Sequence, residues 1–486
     1  MPFEFIDNNT TIDRAARKRI RSRAATGKNT NRVLARTSRA VAQRSTVTAL
    51  FNFPASLRQH RTVRTTPTLV ETPIERPFDN GLLFPVQIRE EARDLVREAL
   101  FFFSSIRHNP ELDGALINPD HTTSVWIRYF FLDEAYFHCC VAISILCSRS
   151  LVQETAQGLR HIARTYRLVQ ERLTGTEATS DMTIAVLVIM AQYERLQGQY
   201  SRGYIHMQGL KRMAELRGGI GSLSRECWGV VQKVLRADLE YSLQLGTRTL
   251  FGRDGITALQ ALGCFGFGNG AAGLGAGLAQ DAFLQENLRD DLWRVFLDMR
   301  CLSAMLHDAS AGYRLKLDGV QFHNTIISLG YRLLEINPLG EGFISTLTKT
   351  DLSDLENSIH LGLIAFLVTF LTGLDHRIAD KPQLSYRLRL AIQNLSRSVG
   401  LGREAGTLLI WTLFIGAVAV FKSSDDEWLI PTTQAAMRGL GLTAWEDVRM
   451  TLSGFPWVNA LHNRAGIALC STQSALGFSN QASGLV

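Results

Sequence analysis

No cysteine precedes Cys139 in this 486-residue chain. Everything before it therefore lacks the closely spaced thiolates that a small zinc module requires. The seven cysteines present are Cys139, Cys140, Cys147, Cys227, Cys264, Cys301 and Cys470. Their number is odd and their surroundings mostly apolar, which argues against a disulfide framework and for free, mostly buried thiols in a reducing compartment. No apolar leader segment follows Met1, because Glu4 and Asp7 interrupt it, so a secretory signal is not expected. Long apolar runs are missing too. Thr407–Phe421 spans 15 residues and the run over 361–374 is shorter. Both fall short of the ~20 residues of a membrane-spanning helix and are expected to be buried core helices. Strand-like alternation persists nowhere, and no repeat of 20–50 residues stands out.

Catalytic signatures are equally scarce. The chain has no G-x-S-x-G, no phosphate-cradling G-x-x-x-x-G-K-[ST], no H-E-x-x-H and no calcium-binding loop. Gly268, Gly270 and Gly273 satisfy G-x-G-x-x-G, but helix-like residues rather than a strand precede them, so a loop is expected and not a dinucleotide site. His138, Cys139 and Cys140 are consecutive; on one helix they point in different directions and cannot chelate a single metal. His206 has Glu215 nine residues on and no partner at helical spacing, which favours a packing histidine over a general base. No catalytic residue, metal or cofactor is expected.

What the sequence does hold is 46% hydrophobic and 20% charged residues, enough for a large core. Its net charge of +7 is unevenly spread. Residues 1–64 contain 14 Lys and Arg against 3 Asp and Glu, which is 14 − 3 = +11, leaving 7 − 11 = −4 for the rest. Arg14, Arg17, Lys18 and Arg21 recur at i, i+3, i+4 and i+7 and would share one face of a helix, widened by Arg19 and Arg23. Lys28, Arg32, Arg36, Arg39 and Arg44 continue the basic character, and Pro54, Pro67, Pro73 and Pro77 mark a linker. The expected organisation is a basic, largely disordered N-terminal arm and linker over 1–80, then a helical domain over 81–486. The arm suits nuclear import through RKRIRSR at 17–23, contact with a DNA backbone, or a solvated tail with no partner.

From residue 86 onward the apolar spacing is helical. Helices are expected over 86–107, 126–148, 154–173, 223–246, 283–307, 319–335, 351–374, 382–400 and 405–421. The organising stretch is 181–220. An apolar run from Ile184 to Ala191 forms one helix, stopped by Gly198. A second helix follows with Ile205, Leu210, Met213 and Leu216 as its apolar positions and Gly209 permitting a close neighbour, and it ends at Arg217-Gly218-Gly219, where the arginine caps carbonyls. So short a linker makes the two antiparallel. The expected fold class is all-α: many stacked antiparallel helices.

This hairpin resembles the middle of the fungal-specific transcription factor domain, on Glu194, Gly198, His206, Gly209, Leu210, Arg217, Gly218 and Gly219. Three weaker local matches occur in family order: Glu134-Ala135 with its apolar helix, Leu408-Leu409-x-Trp411 through Gly416, and Phe455-Pro456-Trp457. Together the resemblance covers about 100–465. The aromatic, acidic and then arginine-rich leader is similar to that of regulators of this class without the zinc cluster. That family usually carries a six-cysteine binuclear cluster, and its DNA-reading module cannot be transferred to a chain without those cysteines. The resemblance implies a nuclear transcription regulator of a metabolic or secondary-metabolite gene set, whose arm (Arg14, Arg17, Lys18, Arg19, Arg21, Arg23, Lys28, Arg32) meets importin or DNA. Its body would bind a DNA-bound regulator, a second copy of itself or a small-molecule effector of unspecified kind. No membrane association is expected. Two other readings stay open: a co-regulator that never touches DNA, and an enzyme or lipid-associated protein.

Overall fold

The computed structural model describes residues between 84 and 481, apart from 87–92, 106–109, 118–126, 149–155, 268–277, 341–351, 372–380 and 398–401. The arm residues Arg14, Arg17, Lys18, Arg19, Arg21, Arg23, Lys28 and Arg32 lie outside the described residues, as do Gly268, Gly270 and Gly273.

The described chain is all-α. In order the helices are α1 (Arg93–Ser105), α2 (Glu134–Ser148), α3 (Ala156–Leu173), α4 (Asp181–Leu196), α5 (Tyr200–Leu216), α6 (Ile220–Glu226), α7 (Trp228–Leu245), α8 (Gly252–Ala261), α9 (Leu278–Asn287), α10 (Asp290–Ser310), α11 (Gly319–Ile336), α12 (Asp354–Val368), α13 (Pro382–Arg397), α14 (Arg403–Ala419), α15 (Asp426–Leu440), α16 (Trp445–Leu452) and α17 (Asn459–Gln481). The strands among the described residues are two-residue pieces, β1 (Leu116–Ile117) and β2 (Leu317–Asp318), paired in parallel. Asp318 then caps α11, its carboxylate accepting from Val320 N and Gln321 N at 2.9 Å.

Successive helices pair as short connections dictate: α2 with α3, α4 with α5, α12 with α13, and α14 with α15. Longer-range packing joins α2 to α4, α8 to α11 and α12 to α14, so one continuous core runs from Val96 to Leu469. The two most apolar runs are interior. Ile359 to Leu367 on α12 and Leu408 to Ile415 on α14 are buried. Among the described residues no helix is long and apolar enough to cross a membrane.

Trp411 explains why two separated sequence matches belong together. It is fully buried on α14, stacks on Phe455 at 5.2 Å with planes 10° apart, and donates Nε1–H to the Pro456 carbonyl at 3.0 Å. Gly362 on α12 lies so close that a Cβ there would stand 2.5 Å from the indole. A glycine, a tryptophan and the Phe-Pro step thus form one contact, in which the buried indole N–H finds its partner.

Several expected boundaries move. The helix expected over 223–246 is two, broken at Cys227, whose φ of −144° is extended. The helix expected over 283–307 breaks between Asn287 and Asp290, where Arg289 N donates to Glu356 Oε1 at 3.0 Å. Glu356 also completes the capping box with Ser353, so one carboxylate serves both the break between α9 and α10 and the start of α12. Helices α8, α15, α16 and α17 lie where no helix was expected. Gly252 and Gly255 weaken the sequence signal of α8, and Pro431 weakens that of α15. Of the seven cysteines, all free, Cys139, Cys140 and Cys147 are buried and the other four are half-buried.

Candidate functional site

The α4–α5 hairpin is built by its end signals. Ser180 accepts from Thr183 N at 3.2 Å and opens α4. At the other end Gly198 takes φ +71°, which lets Gly198 N reach Arg195 O at 3.0 Å and Gln199 N reach Glu194 O at 2.8 Å. This is the paired-bond helix stop in which a left-handed residue satisfies the last carbonyls. The same stop closes α5: Gly218, at φ +86°, donates to Glu215 O at 3.1 Å, and Gly219 to Ala214 O at 2.8 Å.

Arg217 does more than cap. Its Nη1 reaches the Thr179 carbonyl at 3.3 Å, and its guanidinium pairs with Asp181 at the start of α4 and Glu226 at the end of α6. One side chain ties three helix ends and fixes α4 and α5 as antiparallel. Its exposure keeps the stabilisation from each pair modest.

The face that α5 buries differs from the expected one. Gly203, Met207, Leu210, Met213 and Ala214 point inward, whereas Ile205 is 64% exposed and Leu216 58% exposed. Gly209 permits no close neighbour: a Cβ there would meet nothing within 4 Å. The close approach is at Gly203, where a Cβ would stand 1.6 Å from Tyr241 Oη. That hydroxyl donates to the Ala191 carbonyl at 2.6 Å, so Tyr241 on α7 bolts α4 and α5 together from beneath.

Charged groups lie below the hairpin. Arg195, 1% exposed, pairs with Glu240, which also accepts from Arg236 at 2.7 Å and from Gln192 at 3.0 Å. Burial alone would raise Glu240; the guanidiniums of Arg195 and Arg236 outweigh it and bring it down to about 2. Two residues earlier, Asp238 accepts from Leu250 N at 2.9 Å, Phe251 N at 3.2 Å and Tyr331 Oη at 2.6 Å. Here burial wins over those donors and pushes the carboxyl up to about 6. These groups hold α7 to α4 and α11, with every acceptor aimed inward, and they form part of the core.

On the outer side the hairpin meets α3. Glu194 is buried and accepts a hydrogen bond from Tyr166 on α3, and the Tyr166 ring lies 6.1 Å from the ring of His206 on α5. Burial lowers His206 below its ordinary range against the opposing charge of Glu194. Glu194, Gly198, His206, Leu210, Arg217, Gly218 and Gly219 thus all act in one hairpin and its junction with α3, while Gly209 opens to solvent and Trp411 belongs to the separate contact on α14.

Leu159, Ala163, Tyr166 and Leu173 recur at i, i+4, i+7 and i+14, on the side of α3 that faces His206. All four are exposed. The apolar spacing of α5 puts Ile205 and Leu216 toward the core; the structure exposes both. The buried stripe of α3 runs instead through Gly158, Ile162, Thr165 and Val169.

A second histidine lies at the α2–α3 contact. His138 Nδ1 and His161 Nδ1 are 2.8 Å apart with ring centroids 5.0 Å apart, so the nitrogens face each other head-on and share one proton instead of converging on a third point. Burial lowers both histidines, His161 to about 4. Among the described residues no group of three or more His, Cys, Asp or Glu is placed to hold a metal ion. No protein-family model matches the chain, and no curated protein and no solved structure matches it.

Proposed function

We propose that this chain is a transcription regulator of the fungal type that lacks the zinc cluster, nuclear and non-enzymatic, acting on a metabolic or secondary-metabolite gene set. Its helical body binds a partner and its basic arm serves nuclear import and contact with the DNA backbone. The observation that carries the reading is the charge asymmetry: +11 in the first 64 residues against −4 in the remainder. A concentrated cationic arm on a mildly acidic body favours a polyanion at one end only. The ordered resemblance along 100–465 adds to it.

The test compares the full chain with a full chain in which Arg17, Lys18, Arg19, Arg21 and Arg23 are replaced by alanine, on mixed-sequence duplex DNA. Binding that relies on about six phosphate contacts falls roughly a thousandfold or more between about 50 and 200 mM salt. The expected outcome is salt-steep binding by the unsubstituted chain and its loss in the alanine variant, together with loss of nuclear accumulation of the tagged protein. If neither chain binds at low salt, direct DNA contact is wrong. The reading then reduces to a co-regulator that docks on a DNA-bound protein, an alternative favoured by the absence of any cysteine before Cys139. A protein that stays outside the nucleus, and whose deletion leaves transcripts unchanged, overturns both.

A further inference from the structure

Val458 stands at the N-cap of α17, its carbonyl accepting from Leu461 N at 3.0 Å and His462 N at 2.8 Å. A valine has no side-chain oxygen to take up the first backbone N–H groups of a helix. Two imidazoles do so instead. Val458 N donates to His462 Nδ1 at 3.0 Å, and Asn459 N donates to Nε2 of His307, on α10, at 2.8 Å. Both nitrogens accept, so both are unprotonated. At His462 the second nitrogen fixes that tautomer. Its Nε2–H donates to Thr369 Oγ1 at 3.1 Å, and the Thr369 hydroxyl donates to the Phe366 carbonyl at 2.6 Å. His462 is fully buried, whereas His307 is half-buried and sits in the last turn of α10.

His307 therefore lies between two helix ends of opposite sign. The C-terminus of α10 carries partial negative charge and the N-terminus of α17 partial positive charge. Neutral, His307 offers its Nε2 lone pair to α17. Protonated, the same nitrogen carries an N–H and meets the Asn459 N–H donor to donor. The new charge is then repelled by the end of α17 and favoured by the end of α10. Burial holds His307 below its ordinary range, and the neighbouring carboxylate of Asp308 pulls it upward. Burial and His307 both lower His462. The C-terminal end of α12 faces His462 with Phe366, Thr369 and Phe370, none of which titrates here. Glu111 of the 110–112 turn and Arg438 of α15, both elements packed on α17, are exposed, as is Arg464 of α17 itself.

We infer that His307 is a proton-operated latch: neutral, it holds the first turn of α17, and protonated, it lets that turn and the Phe455-Pro456 step come away from Trp411. The two alternatives are built into the fold, since the imidazole has a partner in each charge state. Protonation is the local charge change, and the first turn of α17 is the element it biases. The inference goes beyond the proposed function and holds whether or not the arm touches DNA.

The experiment follows the full chain from about pH 7 to about pH 4.5 by hydrogen exchange with mass spectrometry and by NMR of carbon-13-labelled histidines. Exchange over 455–462 is compared with exchange in α11, each corrected for the intrinsic effect of pH, so that global unfolding cancels. As His307 takes up its proton, protection over 455–462 should fall roughly tenfold relative to α11, the size expected when a helix cap is lost. His307→Gln keeps an acceptor oxygen at the reach of Nε2 and does not titrate, so its relative protection should stay level with pH. His307→Leu removes the acceptor and should show the low protection already at about pH 7. The inference is overturned if the His307 resonance does not titrate in this range, or if it titrates while relative protection over 455–462 stays level. Equal loss of protection in the unsubstituted chain and the glutamine variant also overturns it, as does a leucine variant protected like the unsubstituted chain at about pH 7. Titration and exchange of the unsubstituted chain decide the matter even where a variant does not fold.

Discussion

Two glycines six residues apart on α5 should respond to alanine with opposite signs. At Gly203 an added Cβ would stand 1.6 Å from Tyr241 Oη and 2.6 Å from Cζ, both inside any van der Waals separation. Tyr241 is fully buried, so it cannot swing into solvent. Either α5 lifts from α7, or the phenol shifts and gives up its 2.6 Å hydrogen bond to the Ala191 carbonyl. Overpacking of this kind costs about 1–3 kcal/mol. A buried carbonyl left without its donor adds about 1–3 kcal/mol. Alanine's helix preference over glycine returns only about 1 kcal/mol. The net expectation for Gly203→Ala is a loss of about 1–5 kcal/mol. At Gly209 only the helix preference operates, because nothing lies within 4 Å, and Gly209→Ala should gain up to about 1 kcal/mol. Urea unfolding of the full chain, followed by far-ultraviolet circular dichroism and read as midpoint at constant slope, measures both. Adding Tyr241→Phe to Gly203→Ala removes the closest atom and should recover part of the loss, which separates a clash from a general intolerance. The reasoning fails if Gly203→Ala is as stable as Gly209→Ala, or if Tyr241→Phe makes the Gly203 variant worse by its full single-mutant cost.

Three further outcomes follow from buried groups. Arg195→Met should cost about 3 kcal/mol, the low end for breaking a buried pair, because Glu240 keeps Arg236 and Gln192; urea midpoints measure it. Trp411→Phe should cost about 2–3 kcal/mol in the same assay, since it orphans the Pro456 carbonyl and leaves a gap beside Gly362. Stability should also fall between pH 6.5 and 4.5. Burial lowers His161 and His360 to about 4 and His462 to about 3, so their contribution is complete above about 6.5 and is lost as pH falls through those lower values. The two fully buried histidines together account for about 5 kcal/mol by pH 4. Asp238 has the opposite sign, since its raised carboxyl favours folding below about 4 and that gain is lost as pH rises through about 6, but a single group worth about 3 kcal/mol does not offset the histidines. Urea midpoints that stay flat or rise from pH 6.5 to 4.5 would refute this balance.

The hairpin was legible in the sequence because its signals are local. Gly198 and Gly218 stop their helices through backbone conformations that depend on the glycines alone, and Ser180 caps α4 through a residue three positions away. Burial was less legible. On α5 the apolar positions read by size were Ile205, Leu210, Met213 and Leu216; Leu210 and Met213 are buried, but Ile205 and Leu216 are exposed and Gly203, Met207 and Ala214 complete the buried face. Glycine and alanine carry little weight in an apolar pattern, although at a tight contact they are what permits burial. That Gly203, rather than Gly209, makes the contact depends on Tyr241, which lies 38 positions along the chain and becomes a neighbour only after folding. Arg217 shows the same limit: its place at a helix end is local, but its pairing with both Asp181 and Glu226 requires three helix ends to meet. Likewise Trp411 and Phe455 stood out separately in the sequence, and their stacking emerged only with the fold.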